Sequence, residues 1–139
     1  GKVFLNKKKE QEITQKYIDD FRTKVTGQEQ SCGSLSGGNQ QKVVIGRCLS
    51  SLPKLVILDE PTRGIDAAAR GDVYSIILEL KKKGVAIMLI SSDMEEIIEL
   101  SDRAVVMFQG HVTRTLSKSK IDQNTLMNAS FDVKEEGEG

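Results

Sequence analysis

Apolar side chains return at every fourth position from Ile13 through Tyr17 and Phe21 to Val25, with Ile18 beside them and charged residues between. That period predicts an amphipathic helix over residues 7–25, ended by Gly27. A small-residue loop, Ser31-Cys32-Gly33-Ser34, follows. Ser36 then precedes Gly37, Gly38 and an apolar stretch through Leu49, the pattern of a serine-capped helix start. Pro53 marks the next boundary. Leu55-Val56-Ile57-Leu58 is short, apolar and ends in two carboxylates, which predicts a buried strand. Asp66 is the expected N-cap of a long helix with the stripe Val73, Ile76, Ile77 and Leu80, closed by Gly84. Val85 to Ile90 reads as a second buried strand. Ser92 or Asp93 caps a short helix whose first turn carries Glu95 and Glu96, charges suited to a helix N-terminus. Ala104 to Phe108 is a third strand. Gln109-Gly110 turns into a more polar fourth, His111 to Leu116. Asp122 opens a last helix through Ala129. The end, Asp132 to Gly139, is polar and expected to be disordered.

Strand, helix, strand, helix, strand argues for a parallel α/β arrangement. Ligands of such sheets sit beyond the carboxyl ends of the strands, so residues after Leu58, Ile90 and Phe108 are the first candidates. Composition narrows the reading further. The 139 residues allow one ordinary domain. Hydrophobic residues are 38% and charged residues 29%, enough for a packed core. Lys plus Arg is 20 and Asp plus Glu is 20, so no global field draws in nucleic acid or anionic lipid. The longest apolar run, Val85 to Ile90, falls far short of the roughly 20 residues of a membrane helix. The first five residues lack the apolar stretch of a secretion signal. Cys32 and Cys48 are not in CxxC spacing and have no clustered histidines, which disfavours zinc or a disulfide scaffold and fits a reducing compartment. A start at Gly1 rather than methionine fits a processed or shortened chain.

Two short segments carry candidate chemistry. Asp59 and Glu60 follow an apolar strand directly. Neighbouring strand residues point to opposite sides, so one carboxylate could hold magnesium while the other faces a reacting water. Magnesium takes oxygen ligands and keeps several waters. An exposed acidic pair at a strand end is the bland alternative. Leu35-Ser36-Gly37-Gly38-Asn39-Gln40 is the second segment. Two glycines at a helix start leave backbone N–H groups uncovered, and the helix end adds partial positive charge, a combination suited to phosphate. A glycine-rich turn capped by serine is the bland alternative there.

The two together change the weighing. Ser36 lies 23 residues before Asp59, and Pro61-Thr62 and Gly64-Ile65-Asp66 follow the carboxylates. This ordered set resembles the ABC-type ATPases. Leu35 to Gly38 looks like their signature loop, Leu55 to Glu60 like the Walker B strand with its catalytic glutamate, and Gly64-Ile65-Asp66 like the D-loop. Asn39-Gln40-Gln41-Lys42 and Glu60 to Asp66 resemble the second ATPase half of bacterial monosaccharide importers of the ribose, galactose, xylose or autoinducer-2 type. Ile90 to Glu96, Ser101-Asp102-Arg103 and Val106-Met107 extend the likeness nearly to Leu116.

The resemblance implies an incomplete P-loop NTPase core with parallel strands plus part of the helical subdomain. Residues 1–51 would be helical subdomain with the signature loop and its helix, 52–116 the C-terminal part of the α/β core, and 117–139 a C-terminal helix and acidic tail. It implies ATP and Mg2+ as cofactors, Asp59 as metal ligand and Glu60 as the catalytic glutamate. Leu35, Ser36, Gly37, Gly38, Asn39, Gln40, Asp66 and Ser92 would be nucleotide-contacting positions. Two departures qualify this. No GxxxxGK[ST] occurs, so the phosphate-cradling loop and its lysine are missing from these residues. The switch histidine of the family would fall at Ser92, which puts hydrolysis at this half's own site in doubt. The only histidine, His111, reads as an exposed turn residue.

The implied function is the ATP-binding subunit of a sugar importer at the cytoplasmic face of a bacterial inner membrane. Its partners would be another ATPase half, permease subunits and, indirectly, a periplasmic binding protein. The alternatives are a non-transport ABC ATPase, or a non-catalytic binding fragment. In the family sheet a P-loop strand lies between the strands placed at 85–90 and 104–108. Without it, strand exchange or oligomerisation of the 139-residue chain is expected. Lys7-Lys8-Lys9 and Lys81-Lys82-Lys83 are read as solvated helix surface, Cys48 as a small core residue, and Tyr17 and Phe21 as core.

Overall fold

The computed structural model describes residues 6–131. It falls into two compact units that divide between Met88 and Leu89.

The first unit opens with α1, Lys7–Asp20, whose N-cap Asn6 accepts from the Lys9 N–H. The expected run to Val25 stops five residues early. Arg22 takes φ +49° and Phe21 donates its N–H back to the Tyr17 carbonyl, so the chain leaves the helix while the apolar period continues. No residue of α1 is buried. Tyr17 and Phe21 are half-covered, with ring centroids 5.5 Å apart. They lie against Gly46 of α2, Gly37–Leu49, where a methyl group would come within 3.4 Å of the Phe21 ring. A short 3-10 turn, Cys32–Ser34, precedes α2. Cys48 is exposed rather than core, as is Cys32. It sits on the outer side of α2, while Ile45, Gly46 and Leu49 take the buried side.

Strand β1, Leu55–Asp59, buries only Val56 and Leu58. Helix α3, Ala67–Lys82, follows, with the Asp66 carboxylate accepting from the Ala69 N–H. Its stripe Val73, Ile76, Ile77 and Leu80 is buried as the spacing predicts. Each such side chain contributes about 1.5–3 kcal/mol by leaving water. Gly84 closes the helix at φ +79°, a conformation that favours glycine. Strand β2, Ala86–Ile90, pairs with β1 through this β-α-β crossover, the connection parallel strands require. The expected burial of both strands is not met. Leu55, Ile57, Met88 and Ile90 are exposed, because one face of this two-stranded sheet is uncovered.

The second unit continues with α4, Met94–Leu100, capped by Asp93 rather than Ser92. The Asp93 carboxylate accepts from the N–H groups of Glu95 and Glu96. Strands β3, Arg103–Phe108, and β4, His111–Ser117, form an antiparallel hairpin. Its two-residue turn has positive φ at both Gln109 and Gly110, which matches the twist of the flanking strands. The register shifts between Val106 and Met107, leaving Thr113 as the extra residue of a bulge. The Thr113 hydroxyl faces the Ala129 carbonyl at 2.9 Å and the Val106 carbonyl at 3.2 Å. That ties the bulge to α5, Gln123–Ser130. Ala104, Val106, Leu116, Ile121, Leu126 and Ala129 form the core, with Met94, Ile97 and Ile98 against it.

Parallel α/β order thus holds for β1 and β2, whereas β3 and β4 form a separate two-stranded sheet. Among the described residues each of the four strands has one paired neighbour. The tail from Asp132 lies outside the described residues.

Candidate functional site

The tip of α2 is built by short polar contacts. Ser36 stands at the N-cap in extended conformation, but its side chain caps no helix N–H. Its hydroxyl is held by Asn39 instead. The Lys24 backbone N–H donates to Asn39 Oδ1 at 3.0 Å. A backbone N–H can only donate, so the amide is oriented with Nδ2 on the other side, where it donates to Ser36 Oγ at 2.9 Å. The Ser36 oxygen is therefore an acceptor here. Gln40 Nε2 donates to the Leu35 carbonyl at 2.8 Å and closes the loop from behind. The side-chain bonds of Asn39 and Gln40 are thus spent on shaping the tip. Gly37 is exposed and Gly38 buried. The first-turn N–H groups of a helix have no intrahelical acceptor, and no Ser36 cap covers them.

The acidic segment departs from the simple strand picture. Asp59 is the last residue of β1 and is exposed. Glu60 has left the strand at φ +47°. Its direction is set by the turn and not by strand alternation, which corrects the pleat argument for opposed carboxylates. Pro61 and Thr62 are buried and anchor the turn. Arg63 N–H donates to the Glu60 carbonyl at 3.1 Å, and Gly64 takes φ +76° before Ile65 and the Asp66 cap.

The tip and the acidic turn belong to one unit and are joined through α3. A methyl group on Gly37 would sit 3.6 Å from Ile65 Cγ2, and one on Gly38 would sit 2.3 Å from Ala69 Cβ. Ser92 belongs to the second unit, is exposed, and follows β2. His111 begins β4 opposite Phe108, exposed, with ring centroids 6.2 Å apart edge to face. Sequence reading missed Lys42 and Asp72. The Lys42 ammonium is nearly fully buried and lies 2.7 Å from Asp72 Oδ2. A lysine at the fourth position after Gly38 was visible as the same helix face, but its partner was not.

Among the described residues no three His, Cys, Asp or Glu side chains gather as a metal cluster. Asp59 and Glu60 are consecutive carboxylates, which cannot form an all-protein cage. Magnesium is commonly held by one or two carboxylates, water and substrate phosphates, and the pair fits that mode.

A helix tip with uncapped N–H groups thus lies in the same unit as an acidic turn that follows a parallel strand. The chain shares its fold with the ABC-type ATPase cassettes. The ABC transporter family model matches residues 3–63. The chain is 44% identical over 123 residues to the ribose import ATP-binding protein RbsA of Shouchella clausii, covering 88% of this chain and 25% of that protein. It is 50% identical over 107 residues to a ribose/galactose/methyl galactoside import ATP-binding protein of Hahella chejuensis, covering 77% of this chain and 21% of that protein. The chain spans about a quarter of the length of these curated relatives. Among solved structures it matches MJ1267, an ATP-binding cassette of an ABC transporter, with TM-score 0.79 and 25% identity, over 96% of this chain and 53% of that one. No helix among the described residues is long and apolar enough to cross a membrane.

Proposed function

We propose that these residues form the C-terminal part of one ATPase half in a bacterial sugar importer. Residues 1–51 serve as helical subdomain, 52–116 as part of the α/β core, and 117–139 as the terminal segment. The observation that carries the reading is the Ser36 hydroxyl, held by Asn39 at a helix tip it does not cap and joined through α3 to the Asp59–Asp66 turn. Ser36, Gly37 and Gly38 would meet the γ-phosphate of an ATP whose P-loop belongs to the partner half. Leu35, Asn39 and Gln40 shape that tip. Donors fixed before the reaction stabilise developing charge without reorganisation. Asp59 would hold magnesium, which when bound neutralises phosphate charge. Glu60 would orient the attacking water at this half's own pocket, whose P-loop lies in polypeptide other than these residues. Asp66 holds the D-loop end by capping α3, and Ser92 stands at the switch position. Serine lacks an imidazole proton, so this half contributes mainly its signature to the competent site. The partners are another ATPase half, permease subunits and, indirectly, a periplasmic binding protein, at the cytoplasmic face of the inner membrane.

ATP turnover of the complete two-half ATPase carrying Ser36→Arg tests this. We expect turnover to fall to background, while wild-type turnover would overturn the reading. Titration calorimetry of the 139-residue chain with ATP and magnesium separates a non-catalytic nucleotide-binding module. We expect no measurable heat of binding, and tight binding would favour that alternative.

A further inference from the structure

A buried cation sits one turn behind the phosphate-facing tip. Lys42 is 3% exposed, and its ammonium reaches Asp72 Oδ2 at 2.7 Å and the Arg22 carbonyl at 3.3 Å. A buried charge is retained at low cost only where partners satisfy it. Here the partners come from two other elements, α3 and the segment that leaves α1. Gly38 and Lys42 are four apart on α2, and Ala69 and Asp72 are three apart on α3. The Gly38–Ala69 contact and the Lys42–Asp72 pair are therefore two rungs, about one helical turn apart on both helices. A single rung would leave the tip free to pivot, whereas two fix its angle.

The second bond of Lys42 extends the hold to Ser36. Lys42 fixes the Arg22 carbonyl, and two residues on the Lys24 N–H donates to Asn39, which donates to Ser36 Oγ. Arg22 stands at φ +49°, so the backbone here takes a shape that ordinary residues rarely adopt without support.

We propose that Lys42, through Asp72 and the Arg22 carbonyl, is a positioning residue for the Ser36–Gly38 tip, setting where its donors point in the composite nucleotide site. This rests on the signature reading above. Neither residue touches nucleotide in this account. Misplacement of a donor by about 1 Å can cost on the order of a hundredfold in rate, and loss of one rung allows a smaller pivot.

The test is steady-state ATP hydrolysis by the complete two-half ATPase bearing Lys42→Met, Lys42→Arg, Asp72→Asn or Ser36→Arg. For Lys42→Met and Asp72→Asn we expect kcat to fall roughly tenfold with KM for ATP nearly unchanged, because the partner's P-loop still holds the nucleotide. Lys42→Arg keeps the charge and should recover most of kcat. A folded Lys42→Met protein with full kcat would overturn the proposal. If Lys42→Met fails to fold, Asp72→Asn decides in the same way, since its side chain is half exposed. Loss of activity with Ser36→Arg but not with Lys42→Met or Asp72→Asn defeats only the positioning role. Full activity with Ser36→Arg defeats the signature reading beneath it.

Discussion

Gly38 and Ala69 approach so closely that a methyl group on Gly38 would lie 2.3 Å from the Ala69 Cβ. The contact sets the spacing of α2 and α3 at the end where the serine tip and the acidic turn meet. Gly38→Ala should therefore destabilise the chain by about 1–3 kcal/mol, the usual range for overpacking. Ala69→Gly in the same chain should recover part of that loss by vacating the space. Urea unfolding of the wild type and both variants checks this. Equal stability of Gly38→Ala and wild type would show that the helices can separate freely.

Glu60 stands at φ +47°, where a side chain is disfavoured by about 1–2 kcal/mol relative to glycine. Glu60→Gly is expected to stabilise the chain by about 1 kcal/mol through relief of that strain. In the complete ATPase the same change should remove the carboxylate proposed above to orient water in this half's pocket. A stability gain paired with a functional loss is the mark of strain kept for chemistry. Thermal unfolding of wild type, Glu60→Gly and Glu60→Gln separates the two effects, because glutamine keeps the strain and loses the charge. A drop in melting temperature for Glu60→Gly would show that the side chain's own contacts outweigh the backbone.

Much of this was written locally in the chain. The Asp66 cap, the four-residue stripe and the Gly84 stop define α3 because each acts within a turn or two of itself. Gln109-Gly110 defines the hairpin for the same reason. The end of α1 was misjudged because Phe21 and Val25 keep the helical period, whereas the backbone reverses at Arg22. The Lys42–Asp72 pair was not legible, since its partners lie 30 residues apart and meet only once α2 lies on α3. Strand alternation set Glu60 opposite Asp59, yet its placement comes from a left-handed backbone that no pattern of apolar positions announces. The apolar runs of β1 and β2 marked strands correctly but could not say whether anything covers them.

Ile57 on β1 is 59% exposed and Met107 on β3 is 62% exposed, each beside further exposed apolar residues in its own sheet. Parallel strands are normally covered on both faces, and zero net charge gives no repulsion between copies. The 139-residue chain should therefore self-associate at micromolar concentration. Ile57→Lys and Met107→Lys together should shift it toward monomer. Sedimentation velocity over a concentration series checks the distribution. A wild-type chain that stays monomeric throughout would mean that these faces are covered within one copy.

Asp122 accepts from the Thr125 N–H at 2.9 Å and from the Thr125 hydroxyl at 2.7 Å, capping α5. Both bonds favour the ionised carboxylate, and the backbone bond is the larger cause. They hold its pKa below the ordinary aspartate value, against a smaller opposing effect of burial. The folded value is depressed relative to the unfolded one. The cap's contribution is therefore complete above the unfolded pKa and is lost as pH falls through the folded one. Amide exchange across α5 should speed up on acidification over that window. Asp122→Asn keeps an acceptor oxygen at the cap but has no proton to gain. Its α5 exchange, corrected for the intrinsic pH effect, should stay flat over the same range. A wild-type profile as flat as that of Asp122→Asn would mean that the cap carries no pH-dependent share of α5 stability.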